Sequence, residues 1–149
     1  MNLFRRGHAK DAPALPVLRT QRLVLRAFDP CDTVNVFNYA KSDRVGPMAG
    51  WQPHTCMEDS RRVVEGFIRE GDVWAVVEKS SGHVIGSVGL HRDIRRSVQG
   101  ARELGYALGE KHWGRGYATE ACAAVLDYAF GKLDCPVISA GHFPFNSAS

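Results

Sequence analysis

The sequence predicts an α+β domain in which helices flank a mixed central sheet. A β-prone run near the start is followed by two helical stretches. Three strand-like runs then come one after another, and a strong helix and a short final strand follow them. Strands grouped in this way, without strict alternation with helices, place helices on a sheet of largely antiparallel neighbours. No internal repeat is visible, and 149 residues suit one domain.

Residues 1–16 carry Gly7, His8, Lys10, Asp11, Pro13 and Pro16 without periodicity and read as a flexible arm, with the folded domain over 17–149. The first strand is expected at Leu23-Val24-Leu25-Arg26. Pro30-Cys31-Asp32 opens a helical stretch with Val34, Phe37 and Asn38, which Gly46-Pro47 and Gly50-Trp51-Gln52-Pro53 are expected to break. Over residues 58–70, Val63, Val64, Phe67 and Ile68 recur at helical spacing among charged residues, and Gly71 ends the helix. Residues 74–78 and 84–90 form a predicted hairpin around Lys79-Ser80-Ser81-Gly82-His83. A polar loop leads to a strand over 101–108, with Leu104, Tyr106 and Leu108 on one face and Glu103, Gly105 and Ala107 on the other. Residues 118–130 predict a helix with Cys122, Val125, Leu126 and Ala129 on one stripe and Gly131 as its terminator. Residues 137–140 give the last strand.

Composition narrows the partners. The chain is 44% hydrophobic and 23% charged, an ordinary globular balance. Nineteen Lys and Arg against sixteen Asp and Glu leave a net charge of +3, and the basic residues are scattered, so nucleic acid is not suggested. Cysteines at 31, 56, 122 and 135 form no C-x-x-C pair, which predicts neither a metal site nor a disulfide framework. The N-terminus lacks a signal peptide's apolar run, and no window approaches the roughly 18 apolar residues of a membrane span. A cytoplasmic location is expected.

The stretch with chemical content is Glu103-Leu104-Gly105-Tyr106, a short gap, and Trp113-Gly114-Arg115-Gly116-Tyr117-Ala118-Thr119-Glu120-Ala121. Two glycines between a strand and a helix let backbone N–H groups converge beside the positive helix end, an arrangement that binds phosphate. Taken alone, Gly-x-Gly is equally compatible with a tight turn that holds no ligand. No Gly-Lys-Ser/Thr follows, so this is not a P-loop, and Thr119 interrupts a dinucleotide G-x-G-x-x-G.

As a unit, these residues resemble the GNAT acetyltransferase motif Arg/Gln-x-x-Gly-x-Gly/Ala, with Gly116 and Ala118 at the small positions and Trp113 at the Arg/Gln position. The flanking Glu-Leu-Gly-Tyr strand and Thr-Glu-Ala are similar to the RimJ/RimL type, which acetylates ribosomal-protein N-termini and small amines. Thr20-Gln21-Arg22-Leu23-Val24-Leu25-Arg26, Ile85-Gly86-Ser87-Val88-Gly89-Leu90 and Asn146-Ser147-Ala148-Ser149 resemble three further family segments in register. In that family another helix and two strands follow the Asn-x-x-Ser, so an incomplete C-terminus is expected after Ser149. Such an end implies an exposed sheet edge and, through it, self-association.

The resemblance implies an N-acetyltransferase in which acetyl-CoA lies in a V between the 103–108 and 137–140 strands. Its pantetheine would pair with backbone at Tyr106, Ala107 and Leu108. Its pyrophosphate would rest on the turn through Trp113, Gly114, Arg115, Gly116, Tyr117, Ala118 and Thr119. A primary amine, such as a protein N-terminus, would attack the thioester directly. Glu103 would take its proton through a water, or else be a strand-edge carboxylate anchoring Arg26 or Arg102. Asn146 would hold the acceptor or a cofactor amide, or cap a helix, and Ser149 would approach the cofactor sulfur. Tyr106 and Tyr117 are expected as core and ligand-edge packing, not acids. His91 and His112 either have a role near phosphate or acceptor or are exposed loop histidines, the latter being favoured, and Trp51 either lines the acceptor mouth or is pinned on the core. The alternative function is a domain that binds CoA, or a partner, without turnover.

Overall fold

The computed structural model describes residues 14–149. Ten regular elements follow in order: β1 (Leu18–Arg19), β2 (Leu23–Ala27), α1 (Thr33–Ala40), α2 (Val45–Ala49), α3 (Met57–Glu70), β3 (Val73–Glu78), β4 (Val84–Arg92), β5 (Arg102–Leu108), α4 (Tyr117–Gly131) and β6 (Ile138–Ala140). The strands form one sheet in sequence order, and each neighbouring pair from β1 to β5 is antiparallel. Only β5 and β6 run parallel, the crossover between them being α4. The α+β fold with a mixed sheet is therefore present.

Both faces of the sheet are covered, which explains why β3 reads as a continuous apolar run and not an alternating one. Trp74 and Val76 pack with Leu23, Leu25, Val88 and Leu90 under the α4 residues Ala121, Val125 and Ala129. Val73 and Ala75, on the opposite face, pack with Val36, Tyr39, Val45 and Val64 from α1, α2 and α3. Strands β4 and β5 approach so closely that a Cβ on Gly86 would stand 2.2 Å from the Ala107 carbonyl oxygen. No other residue fits there.

Several expectations are corrected. A two-residue strand, β1, precedes the predicted first strand. The expected arm at 1–16 falls mostly outside the described residues, yet Leu15 packs on the core and the Pro16 carbonyl accepts a 2.9 Å bond from Trp74 Nε1. Ordered contacts thus begin before residue 17. Gly46-Pro47 does not break the chain's helical course but sits inside α2, because proline is tolerated in a first helical turn whose N–H groups have no intrahelical acceptor. Ile68 lies off the buried face of α3 and is 43% exposed, while Ser60, unpredicted, is fully buried and bonded to His54 Nδ1 at 2.7 Å. Gly131 is the last residue of α4 and not its terminator; the left-handed residue after the helix is Asp134, at φ 50°. Among the described residues no helix is long and apolar enough to cross a membrane.

Candidate active site

The site grows from the point where β5 and β6 part. Their pairing runs over Arg102↔Ile138, Glu103↔Ser139 and Leu104↔Ala140 and goes no further, although β5 continues to Leu108. Arg102 N donates to the Val137 carbonyl at 3.0 Å, so the even-numbered residues of β5 turn their backbone groups toward β6 and the odd-numbered ones toward β4. Beyond the split, Tyr106 therefore presents its N–H and C=O to the opening, whereas Ala107 faces β4. The Leu108 carbonyl is already taken, accepting a 2.8 Å bond from Trp113 Nε1. Of the three residues expected to pair with pantetheine, Tyr106 has its backbone free for it.

Gly114 and Gly116 both adopt left-handed φ, 70° and 77°, and lead into α4. The first intrahelical bond runs from Glu120 N to the Gly116 carbonyl at 3.0 Å, which leaves the N–H groups of Tyr117, Ala118 and Thr119 without intrahelical acceptors. These donors and the positive helix end face one spot beside the exposed Arg115. The Trp113 side chain is half buried against both cores, with the Arg44 guanidinium 5.4 Å from its ring.

Arg22 stitches this turn to the start of the sheet, a role no sequence pattern singled out although Arg22 lies inside a quoted motif. Its Nη1 donates to the Arg115 carbonyl at 2.9 Å, and its Nε donates to Glu120 Oε2 at 2.7 Å. The guanidinium also lies 4.3 Å from the centre of the Tyr117 ring. Glu120 additionally accepts from Thr20 Oγ1 at 2.6 Å and Arg22 N at 2.8 Å. Burial pushes the Glu120 carboxyl up, but these donors outweigh it and hold it below the usual carboxylate range. Tyr117 donates to Glu78 Oε1 at 2.6 Å, and that bond, with one from Ser81, holds Glu78 low as well.

At the other end of β5, Glu103 is paired with Arg95, and neither Arg26 nor Arg102 is its partner; Arg26 instead makes a two-pronged bond with Asp32 at 2.8 and 2.9 Å. A cleft of about 340 Å³ opens here, lined by Arg95, Arg96, Glu103, Ser139 and Ala140. Asp93 is buried beneath it and accepts from Ser139 Oγ at 2.6 Å and Arg95 N at 3.0 Å.

The remaining expected residues fall as follows. Tyr106 is 37% exposed, and its hydroxyl lies 3.0 Å from Ser149 Oγ. Asn146 Nδ2 donates to the Met48 carbonyl at 3.2 Å and ties residues 141–149 to α2. Trp51 packs on the core formed by α1, α2 and α3. Neither histidine is an exposed loop residue. His91 Nδ1 lies 2.8 Å from Asp72 Oδ2, and His112 is half buried with Nδ1 unpartnered 4.0 Å from Glu78. Burial pushes the His112 imidazole below its usual range. Burial pushes the partly buried Cys122 thiol up to about 11, which disfavours its thiolate at neutral pH.

With this geometry in place, known proteins can be compared. Residues 22–149 match the family described as the acetyltransferase (GNAT) domain. The chain belongs to that family. An uncharacterized N-acetyltransferase of Bacillus subtilis, YoaA, is 27% identical over 90% of this chain and 77% of its own length. A second relative, the uncharacterized N-acetyltransferase p20 of Bacillus licheniformis, is 29% identical over 91% of this chain and 78% of its own. Among solved structures, a GNAT-family acetyltransferase from Bacillus anthracis superposes with a TM-score of 0.81 at 25% identity, covering 90% of this chain and 78% of that one. A structure described as a putative ribosomal-protein-serine acetyltransferase from Vibrio cholerae shares the fold, with a TM-score of 0.72 at 18% identity over 88% of this chain and 76% of that one. The GNAT chemistry is acetyl transfer from acetyl-CoA, and this GNAT domain is an acetyl-CoA-dependent acetyltransferase.

Proposed function

We propose that this GNAT domain acetylates a primary amine, in the RimJ/RimL manner, by direct attack on acetyl-CoA within a ternary complex. The observation that carries the proposal is the parting of β5 from β6 after Leu104, opposite the paired left-handed glycines and the α4 N-terminus. Pyrophosphate is assigned to the N–H groups of residues 117–119 with Arg115 and the Gly114–Gly116 backbone around it, and the pantetheine to the backbone of Tyr106. The thioester then ends at the apex near Gly105. Glu103 draws the acceptor's ammonium and its proton toward the apex through a water, since only the neutral amine can attack. Ser149 and Tyr106, already within hydrogen-bond distance of each other, stand where the departing thiolate forms, and Asn146 fixes the segment that carries Ser149. A protein N-terminal amine suits this chemistry because its pKa of about 8 needs little help at neutral pH. Residues 17–149 act as the catalytic unit in this proposal, and the outer edge of β6 is offered for self-association, to be read by light scattering.

Calorimetric titration with acetyl-CoA tests the assignment. Saturable binding by the wild-type chain is expected, with heat lost in Gly116→Val, which fills the turn at a left-handed φ. A melting curve shows whether the variant is folded. Undiminished binding by folded Gly116→Val would remove the phosphate from this turn.

A further inference from the structure

The acceptor end of the sheet holds a hydrogen-bonded pair, His91 and Asp72, that the mechanism above leaves unused. His91 and Glu103 are cross-strand partners, as are Gly89 and Gly105, so the four positions share one face of the β4–β5 pair. The His91 ring folds back over Gly89, where a Cβ would stand 2.4 Å from Nε2. A Cβ on Gly105 would meet nothing within 4 Å, so the floor beside that nitrogen is open. Gly105 is also the first residue of β5 past the Leu104↔Ala140 pair, which puts this floor at the apex of the opening.

Asp72 fixes the ring. His91 Nδ1 is 2.8 Å from Asp72 Oδ2, and a carboxylate can only accept, so Nδ1 carries the hydrogen and Nε2 of the neutral ring presents a lone pair. Asp72 is itself anchored between α3 and β3, where its carbonyl accepts from Leu90 N at 2.8 Å. Among the described residues its Oδ1 is buried with no partner, and the carboxylate's side-chain bond is the one to His91. The charged groups that face His91 are Asp72 beside it, Glu70 from the end of α3, and Glu103 from β5, the last engaged by Arg95 of the following loop. The Asp72 bond outweighs the burial of the ring and moves the imidazole above its usual range.

We propose that His91, oriented by Asp72, is the base on which the acceptor's proton comes to rest, with Glu103 holding the water that delivers it. This rests on the acetyl-transfer function proposed above. One ammonium proton passes through that water to Nε2, and the neutral nitrogen attacks the thioester carbonyl over Gly105. The C–N bond forms and the C–S bond breaks. The nitrogen's surplus proton leaves with the CoA thiolate, giving amide and CoA thiol, and the imidazolium returns its proton to solvent. Carboxylates as a class titrate about two to three pH units below neutrality and imidazoles within about one, so the ring is the better-matched acceptor.

The full chain is assayed in three ways: acetyl-CoA binding by calorimetry, acetyl transfer to glycinamide as a probe amine across pH, and the His91 Cε1–H signal by NMR, identified by its loss in His91→Gln. His91→Gln is expected to bind acetyl-CoA like the wild type, to lose about 10²-fold in kcat/KM near neutrality, and to keep only the ascending limb that glycinamide's own ammonium sets at about pH 8. Asp72→Asn moves the His91 limb and the NMR midpoint to lower pH together, a change that a merely structural role would not produce. Glu103→Gln lowers the rate and shifts the limb modestly downward without abolishing it, because one negative charge near the ring is lost. Glycinamide displaces the His91 signal with or without CoA. An ascending limb that keeps its wild-type midpoint in His91→Gln, or a His91 signal that glycinamide leaves unmoved, overturns the proposal. Failure of the wild-type chain to bind acetyl-CoA counts against the transfer function instead, and the glycinamide titration still decides the amine site.

Discussion

The two ends of β5 are built on different terms. Beyond its C-terminal end, the turn before α4 is held by contacts that cross the whole sequence: Thr20 and Arg22 grip Glu120, Arg22 also grips the Arg115 carbonyl, and Trp113 takes the Leu108 carbonyl from within the core. At its N-terminal end, Arg95 and Arg96 pair with Glu103 and the buried Asp93, partners a few residues away in sequence, and the two arginine side chains are largely open to solvent. A phosphate site works by presenting preset N–H groups, so rigidity there costs nothing later. An acceptor site has to admit and release different molecules, and pairs that trade easily with water suit it.

The largest effect expected of a single change that bears on this contrast is at Gly86, beneath the rigid end. Gly86→Ala drives a methyl against the Ala107 carbonyl, and a loss of about 3 kcal/mol is expected, visible as a fall of roughly 10 °C in Tm. An unchanged Tm would mean that β4 and β5 are looser than the structure shows. Next comes Glu120→Ala, which frees Arg22 and Thr20 together and is expected to cost about 2 kcal/mol near neutral pH. Because the folded carboxyl sits below its unfolded range, that stability is present above the ordinary carboxylate pKa and disappears as pH falls through the lowered folded value. Wild type and variant should therefore converge in acid, and a gap independent of pH would assign the loss to packing. His91 works the other way. Its raised imidazole adds stability below the usual histidine range, and that contribution fades as pH rises through the folded value. Denaturant midpoints of Asp72→Asn and wild type should draw together toward alkaline pH. Smallest is Arg95→Ala, where no measurable change in Tm is expected while acceptor KM moves; a clear loss of stability would mean that the two ends are not so different.

Much of the fold was legible in the sequence because the relevant signals are local. The α3 period, the hairpin around Gly82 and the strand before the glycine turn each depend on residues within one element. What escaped was set by partners outside the element itself. The short β1 exists because β2 offers it an edge, and Ser60 is buried because His54 bonds it. In the candidate site, the glycine turn could be read directly, since left-handed backbone demands glycine. Arg22 at that turn could not, because its partners lie 93 and 98 residues away. His91 was misread as a loop residue because β4 runs two residues past the apolar stretch that announced it, and Asp72 follows a glycine that suggests only a helix end.

Asp93 gives the opening a property that its own lining does not have. β6 is three residues long, and Asp93 pins it from below through Ser139, at the closed end of the V. The gape between β5 and β6 is thus adjusted at the hinge and not at the jaws. A change in loop 93–101 therefore reaches β6 through Asp93 and Ser139 without altering any residue of the glycine turn.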